Sequence, residues 1–224
     1  QTEHQVPRKV LIGTPSHDGK VDVWYANSLV NTIRMSYEKD IVVVPIYMAY
    51  DSLVQRARND IVKLALDEDF DDLIFIDADQ EWDPAWVFKL LDYDKDVVAG
   101  TVVKKSDEVS FNVKALKEGM KTEEDGLIEV DCVGTGFMRI SKSALKQVWD
   151  VSTEYKNEGK TCRMVFDIKI ENGDLVSEDN VFCKKWHDLG GKVYIDPNMT
   201  CNHIGVKKYG GNFMEYIKAI GALA

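Results

Sequence analysis

The sequence of 224 residues lacks long apolar runs and an excess of basic charge. No apolar run approaches the ~20 residues that a membrane-spanning helix requires, and the N-terminus QTEHQVPRK has no signal-peptide core. We therefore expect a soluble, cytoplasmic protein without a membrane span. With 38 acidic and 28 basic residues the formal net charge is -10, which argues against a nucleic-acid partner, because such surfaces need clustered Lys and Arg to neutralise phosphate.

Cysteine is also scarce, with four residues and no C-x-x-C spacing. This pattern fits neither a zinc site nor the dense disulfide framework of small secreted domains, so we expect reduced, packed thiols. With 45% hydrophobic residues the chain can bury one core, and we predict a single domain over residues 1–224 with residues 1–8 flexible. The start at Gln1 without Met suggests a piece cut from a longer polypeptide, whose other domains would then be partners.

The first half of the chain alternates short apolar runs with helical patterns. KVLIG, IVVVPIY and DLIFID predict strands, and Pro45 places the second of them at a sheet edge or at its own end. The two intervening segments predict helices, the first with an apolar face of Val23, Ala26, Leu29, Val30 and Ile33. This order predicts an α/β fold with a mixed, mostly parallel central sheet flanked by helices, in a Rossmann-like arrangement.

The second half changes character. Asp83 as N-cap and Pro84 at the first helical position predict a short helix, and the strand-like segments that follow predict an antiparallel or mixed extension of the sheet. EDNVFCKKWHDLGG predicts a helix, and KVYID predicts the last strand. The final PNMTCNHIGVKKYGGNF predicts a polar loop that folds back over a site.

An acidic cluster ends the third predicted strand, in the stretch LIFIDADQEWDP. In an extended chain Asp77 and Asp79 project to the same side, which suits a divalent cation. The alternative is a solvated acidic loop. The continuously apolar LIFI favours the cation, because it places the cluster at the end of a central strand, where ligands bind in such sheets.

Several segments occur in the order in which GT-A-fold nucleotide-sugar glycosyltransferases present their parts. They are QRARNDIVKLALDEDFDDLIFIDADQEWDP, VGTGFMRISKSAL, EDNVFCKKWHDLGGKVYIDP and NHIG, and the chain resembles this family from about Lys9 to Gly210. It resembles in particular the small glycosyltransferase domains of large algal viruses, the chloroviruses, which implies the host cytoplasm as location. The resemblance implies sugar transfer from a nucleoside diphosphate sugar, commonly a UDP-sugar, to a glycan or glycoprotein acceptor.

The resemblance also implies a metal site and a catalytic pair. Asp79 is then a direct ligand of Mn²⁺ or Mg²⁺, Asp77 a ligand or ribose contact, and His203 completes the metal shell. Asp179 is the general base of an inverting transfer, with Glu178 as its neighbour at the acceptor or sugar. Acidic residues in the first turn of a helix also complement its dipole, so a purely structural role for this pair is the alternative.

The remaining site residues carried over from the family bind the rest of the donor and the acceptor. The nucleotide site comprises Thr14, Pro15, Ser16, Arg58 and Asp77. The diphosphate is approached by Lys207 and Lys208. The sugar or acceptor pocket comprises Gly134, Thr135, Gly136 and Trp186.

Three other functions remain open at this stage. A nucleotidyltransferase shares the architecture and a metal, but GTPSHDGK is a poor version of its glycine-rich and basic loop. A sugar- or metal-binding module without turnover is a second alternative. A retaining transferase is the third, because a histidine-completed metal site also occurs in retaining relatives.

Overall fold

A computed structural model of the chain describes residues 6–205 and 207–223, so part of the segment predicted to be flexible, residues 1–5, lies outside the described residues. The helices are α1 Val23–Glu38, α2 Val54–Asp67, α3 Pro84–Asp92, α4 Lys142–Val151, α5 Glu178–Asp188 and α6 Phe213–Ala219. The strands are β1 Arg8–Ser16, β2 Ile41–Ala49, β3 Asp72–Ile76, β4 Gln80–Glu81, β5 Val97–Val102, β6 Val113–Lys114, β7 Ile128–Val130, β8 Cys132–Val133, β9 Phe137–Ser141, β10 Glu154–Asn157, β11 Lys160–Arg163, β12 Lys169–Glu171, β13 Asp174–Val176, β14 Val193–Ile204 and β15 Lys208–Tyr209.

One central sheet organises the molecule, in the strand order β15-β14-β5-β9-β3-β1-β2. β1, β2, β3, β5 and β14 run in one direction, and β9 runs antiparallel between β3 and β5. The predicted fold class is confirmed: a mixed, mostly parallel, Rossmann-like sheet flanked by helices. β2 lies at the edge of the sheet, one of the two places that Pro45 predicted for it.

Alternate residues of the central strands point into two separate apolar layers. In β3, Leu73 and Phe75 pack with α2, α4, α5 and α6, whereas Ile74 and Ile76 pack with α1 and α3. Strand geometry explains this, since successive side chains point to opposite faces. None of the helices in the described part of the chain has the length and apolar character that crossing a membrane requires.

The predicted apolar face of α1 is confirmed in part. Leu29 is buried and Ile33 packs against the apolar layer, but Val23 and Val30 are largely exposed. The buried face also carries hydroxyl groups. Ser28 Oγ donates to the Trp82 carbonyl, while the indole Nε1 of Trp82 donates to Thr32 Oγ1 at 3.0 Å. These hydrogen bonds satisfy the buried hydroxyls, and the small side chains let α1 pack closely against the Trp82 segment.

The C-terminal segment is more regular than predicted. β14 continues past the predicted KVYID strand to Ile204, with a register shift between Ile195 and Thr200. The shift surrounds Pro197, which has no N–H to donate to the ladder. His203 therefore lies in a strand and not in a loop, and β15 and α6 follow it.

Two local predictions are confirmed. The Asp83 carboxylate accepts a hydrogen bond from the Ala85 backbone N–H, with Pro84 in the first turn of α3. The four cysteines are free thiols and all are buried.

Candidate active site

Two chambers open at the edge of the sheet where β1, β3, β5 and β14 end. The first, of about 590 Å³, we call the β1 chamber; its walls include Pro15, Ser16, His17, Lys20, Asp51 and Asp79. The second, of about 440 Å³, we call the α5 chamber; its walls include Asn112, Gly134, Thr135, Gly136, Glu178 and Asp179. Arg58, Asp77 and His203 line both chambers and so mark their junction.

Arg58 is a buried arginine at this junction, with a side chain 4% exposed. Its guanidinium carbon lies 5.2 Å from the Phe75 ring centroid and 6.0 Å from that of Phe166, so two aromatic rings flank it. Nη2 donates to Asp77 Oδ1 at 3.1 Å, but within the described residues Nε and Nη1 have no hydrogen-bond partner. Unpaired buried donors on a fixed cation are costly unless a ligand binds them, and their chemistry suits an anion.

Asp77 follows β3 in a tight turn. The Gln80 N–H donates to the Asp77 carbonyl at 3.2 Å, so the segment turns and is not extended as the sequence predicted. The side chains of Asp77 and Asp79 therefore contact different residues. Asp77 reaches both chambers because residue 136 is glycine: a Cβ there would lie 3.2 Å from Asp77 Oδ2. The close approach of the Asp77 side chain therefore explains why residue 136, a predicted site residue, is glycine.

Asp79 lies between two basic groups. Lys105 Nζ donates to Asp79 Oδ2 at 2.6 Å, and His203 Nε2 lies 3.2 Å from the same oxygen. Burial raises the pKa of Asp79, but the hydrogen bonds with His203 and Lys105 outweigh this effect and lower the pKa to about 2. Asp79 is therefore an anion at neutral pH.

His203 presents one ring nitrogen to Asp79 and is fixed through the other. Nδ1 lies 2.9 Å from the Val103 carbonyl oxygen, which can only accept, so Nδ1 carries a proton. The same second contact orients many metal-binding histidines. Within the described residues no three His, Cys, Asp or Glu side chains form a ready metal cluster, so an ion on Asp79 and His203 would need further oxygens from a bound molecule.

Asp179 is a buried carboxylate with three hydrogen-bond donors. Ser177 Oγ and the Asn180 N–H donate to Oδ1, and Asn112 Nδ2 donates to Oδ2 at 3.0 Å. Gly134 makes room for this contact, since a Cβ at residue 134 would lie 2.9 Å from Asn112 Nδ2. The carboxylate is thus held in one orientation at the wall of the α5 chamber.

Glu178 stands beside Asp179 in the same wall. Burial raises the pKa of Glu178, the negative charge of Asp179 raises it further, and Arg58 lowers it. Arg58 Nε lies 3.8 Å from Glu178 Oε1. In the floor of the chamber the hydroxyl of Thr135 is buried, and within the described residues it has no partner. A ligand hydroxyl would satisfy it.

The structure brings most of the predicted nucleotide-binding residues to the β1 chamber, with one exception. Pro15 and Ser16 line it, and the Ser16 hydroxyl donates to the Lys20 carbonyl at 2.6 Å. Thr14 is fully buried, with its hydroxyl 2.5 Å from that of Tyr25. The side chain of Thr14 therefore supports the chamber from behind and does not face it.

Three other predicted site residues lie away from the chambers. Trp186 is 4% exposed in the apolar core, where its indole Nε1 donates to the Lys192 carbonyl, so it offers no face to a sugar. Lys207 pairs with Asp107 at 2.6 Å. Lys208 pairs with Glu81 at 2.5 Å. Both lysines are held by carboxylates outside the chambers.

The fold also adds site residues that the sequence analysis did not identify. Lys105 and Asn112 lie in the irregular stretch between β5 and β6, a region whose sequence reads as strand, and they contact Asp79 and Asp179 across 26 and 67 residues. No local pattern marks either of them. Ser177 could have been found, because a serine before a helix is an N-cap signal.

Comparisons with known proteins bear on the fold. No protein-family model and no curated protein matches the chain. Among solved structures, A197 from STIV aligns with a TM-score of 0.53 at 18% identity, over 88% of this chain and 86% of that one. A glycosyltransferase involved in the glycosylation of the major capsid of PBCV-1 aligns with a TM-score of 0.34 at 13% identity, over 65% and 66%. The first likeness shows that the chain shares the fold of A197.

Proposed function

We propose that the protein is a metal-dependent glycosyltransferase of the GT-A type that moves a sugar from a nucleoside diphosphate sugar to an acceptor hydroxyl. The observation that carries the proposal is the junction of the two chambers. There, within the described residues, Nε and Nη1 of the buried Arg58 have no hydrogen-bond partner, although Nε lies 3.8 Å from Glu178 Oε1. Asp77 and His203 line the same junction. A buried guanidinium suits a diphosphate, and side chains that can bind a metal ion beside it suit the cation that accompanies a diphosphate. A simple anion or a neutral sugar would not require both the guanidinium and the metal-binding side chains.

The two chambers suit the two halves of such a donor. The β1 chamber, of about 590 Å³, takes the nucleoside, for which we propose uridine, against Pro15 and Ser16. The diphosphate lies at the junction on Arg58. The sugar enters the α5 chamber, of about 440 Å³, where the buried Thr135 hydroxyl has no hydrogen-bond partner in the part of the chain that the structure describes. Both volumes fall within the range of about 300–1,000 Å³ typical of ligand sites.

Asp79 and His203 would hold the metal ion, with Asp77 as a further ligand or as a contact of the ribose. Carboxylate and imidazole ligands together favour Mn²⁺, and Mg²⁺ is the alternative. When bound, the ion supplies positive charge to the leaving diphosphate. Asp79 Oδ2 and His203 Nε2, which lie 3.2 Å apart, would be the protein's own contribution to holding it.

The chain's own residues perform the rest of the reaction. Asp179, held by its three donors, accepts the proton of the acceptor hydroxyl as that oxygen attacks the anomeric carbon, which inverts the configuration. Arg58 donates to the diphosphate oxygens and so stabilises the charge that develops on them. Glu178 binds the acceptor or the sugar. The acceptor is a glycan or a glycoprotein.

A nucleotide screen tests the proposal. Thermal shift and calorimetry with UDP-, GDP- and dTDP-sugars, with and without Mn²⁺, should show one nucleotide binding strongly only with metal. Asp79→Asn should abolish that binding. Asp69→Asn, at an exposed carboxylate paired with Lys142 on the surface, is the matched control and should behave as wild type.

Three outcomes would contradict parts of the proposal. If a chelator leaves nucleotide binding unchanged, the protein does not need a metal ion to bind the nucleotide. If the protein binds a UDP-sugar but releases no UDP with any of a panel of glycan and glycoprotein acceptors, it is a binding module without turnover. Release of pyrophosphate from a nucleoside triphosphate would indicate a nucleotidyltransferase.

A further inference from the structure

Lys105 occupies the carboxylate oxygen that a metal ion would use. Its ammonium donates to Asp79 Oδ2 at 2.6 Å, the same oxygen that lies 3.2 Å from His203 Nε2. The lysine comes from the stretch after β5, 26 residues from Asp79. Both acids of the D-A-D segment are thus neutralised by side chains from elsewhere in the chain, Asp77 by Arg58 and Asp79 by Lys105.

The two cations differ in how firmly they are held. Arg58 is buried between aromatic rings, whereas the side chain of Lys105 is 37% exposed. The lysine stem passes over Gly205, where a Cβ would lie 3.4 Å from the lysine Cδ. A flexible four-carbon stem with an exposed end can move its charge by several ångströms without a change in the backbone.

An ammonium and a divalent ion bound to the same carboxylate repel each other. Metal binding at Asp79 Oδ2, the oxygen that Lys105 contacts, therefore competes with the lysine. A bound diphosphate brings new negative charge to the junction beside it. The displaced ammonium then has an anionic partner within reach.

We propose that Lys105 is an internal counter-ion of this site: it neutralises Asp79 when the site is empty, competes with the metal, and transfers to the diphosphate when the donor binds. The inference rests on the proposed function and deepens it. Lys105, and not Lys207 or Lys208, then supplies the mobile positive charge. Those two lysines are paired with Asp107 and Glu81.

The test measures binding and not turnover. Mn²⁺ affinity is measured by electron paramagnetic resonance, first alone and then with UDP, and UDP affinity by calorimetry at saturating Mn²⁺. Lys105→Gln should bind Mn²⁺ alone about two- to fivefold more tightly, as expected for loss of a half-exposed ion pair. The same variant should bind UDP with Mn²⁺ about tenfold more weakly.

A matched control excludes a general effect of net charge. Lys184→Gln removes the same charge from an i,i+4 pair with Asp188 in the last turns of α5, and should change neither affinity. In Lys105→Gln, tighter binding of Mn²⁺ together with weaker binding of UDP would identify a cation that moves from Asp79 to the diphosphate. A purely structural lysine would weaken both affinities or neither.

The outcomes separate this inference from the proposed function. If Asp79→Asn loses Mn²⁺ but Lys105→Gln gains no affinity for Mn²⁺ alone, or loses none for UDP, the counter-ion role is overturned and the metal site stands. If wild type, Asp79→Asn and Lys105→Gln all fail to bind Mn²⁺ and UDP under these conditions, the proposed function is overturned and the inference falls with it.

Discussion

His203 Nε2 lies 3.2 Å from Asp79 Oδ2, although 124 residues separate them along the chain. The contact arises because β14 pairs with β4, with His203 opposite Gln80, directly after the acidic turn. The other ring nitrogen is fixed on the Val103 carbonyl. An imidazole nitrogen and a carboxylate oxygen this close together are two ligand types that one divalent ion could bind.

We expect His203→Ala to weaken Mn²⁺ binding by about 10- to 100-fold in the presence of UDP, because the variant lacks one of the side chains that we propose as metal ligands. Calorimetric titration of Mn²⁺ measures the change. The matched control is His187→Ala, since the ring nitrogens of His187 lie 3.0 Å from the Gly191 carbonyl oxygen and 2.8 Å from that of Asp131. His187→Ala should leave Mn²⁺ affinity unchanged. Equal losses in both variants would mean that His203 acts through stability and not through the metal.

Two arginines two residues apart allow a sharp test of the anion site. We expect Arg58→Lys to weaken UDP binding by about 10- to 100-fold, because lysine keeps the charge but loses the fork of donors that Arg58 directs to the junction. Arg56→Lys is the control: Arg56 binds Asp51 through Nε and Nη2 at 2.8 and 2.7 Å. Calorimetry measures both variants. Stronger loss in Arg56→Lys than in Arg58→Lys would contradict the assignment.

The elements that the sequence predicts correctly have local signals. The apolar run of β3 and the Asp83-Pro84 start of α3 are each readable within a few residues. The contacts that complete the site are not local, because Lys105 and Asn112 reach their partners across 26 and 67 residues from an irregular stretch. Trp186 illustrates the opposite error: an aromatic residue predicted to contact a sugar, in the same helix as Glu178 and Asp179, packs in the core instead.

Asn112 connects that irregular stretch to Asp179, and we expect its removal to affect turnover and not donor binding. Asn112→Ala should lower kcat by about 10- to 100-fold and leave UDP affinity with Mn²⁺ unchanged, because only the orientation of the carboxylate is lost. Initial-rate kinetics and calorimetry separate the two quantities. Gly134→Ala should give the same split, since its Cβ would lie 2.9 Å from Asn112 Nδ2 and displace the amide.

These two variants also test each other. If Gly134→Ala loses UDP affinity while Asn112→Ala does not, the glycine contacts the ligand directly and its role is not to admit Asn112. If neither lowers kcat, the amide does not orient Asp179 for the reaction.

The buried Tyr25, which contacts Thr14 behind the β1 chamber, predicts that the protein loses stability at high pH. Burial raises the pKa of Tyr25 far above its ordinary value of about 10, and the hydrogen bond with Thr14 lowers it by less. The unfolded chain therefore releases this proton first as pH rises. The free energy of unfolding is unaffected below pH 10 and should fall above it, by up to about 1.4 kcal/mol per pH unit from this group.

Urea unfolding between pH 8 and pH 11 measures this slope. Tyr25→Phe keeps the ring in the core but cannot ionise, so its stability should fall less steeply above pH 10 than that of wild type. Tyr37→Phe, at an exposed position on the same helix, is the control and should keep the wild-type slope. If Tyr25→Phe follows wild type throughout, the buried hydroxyl of Tyr25 does not resist ionisation in the folded protein.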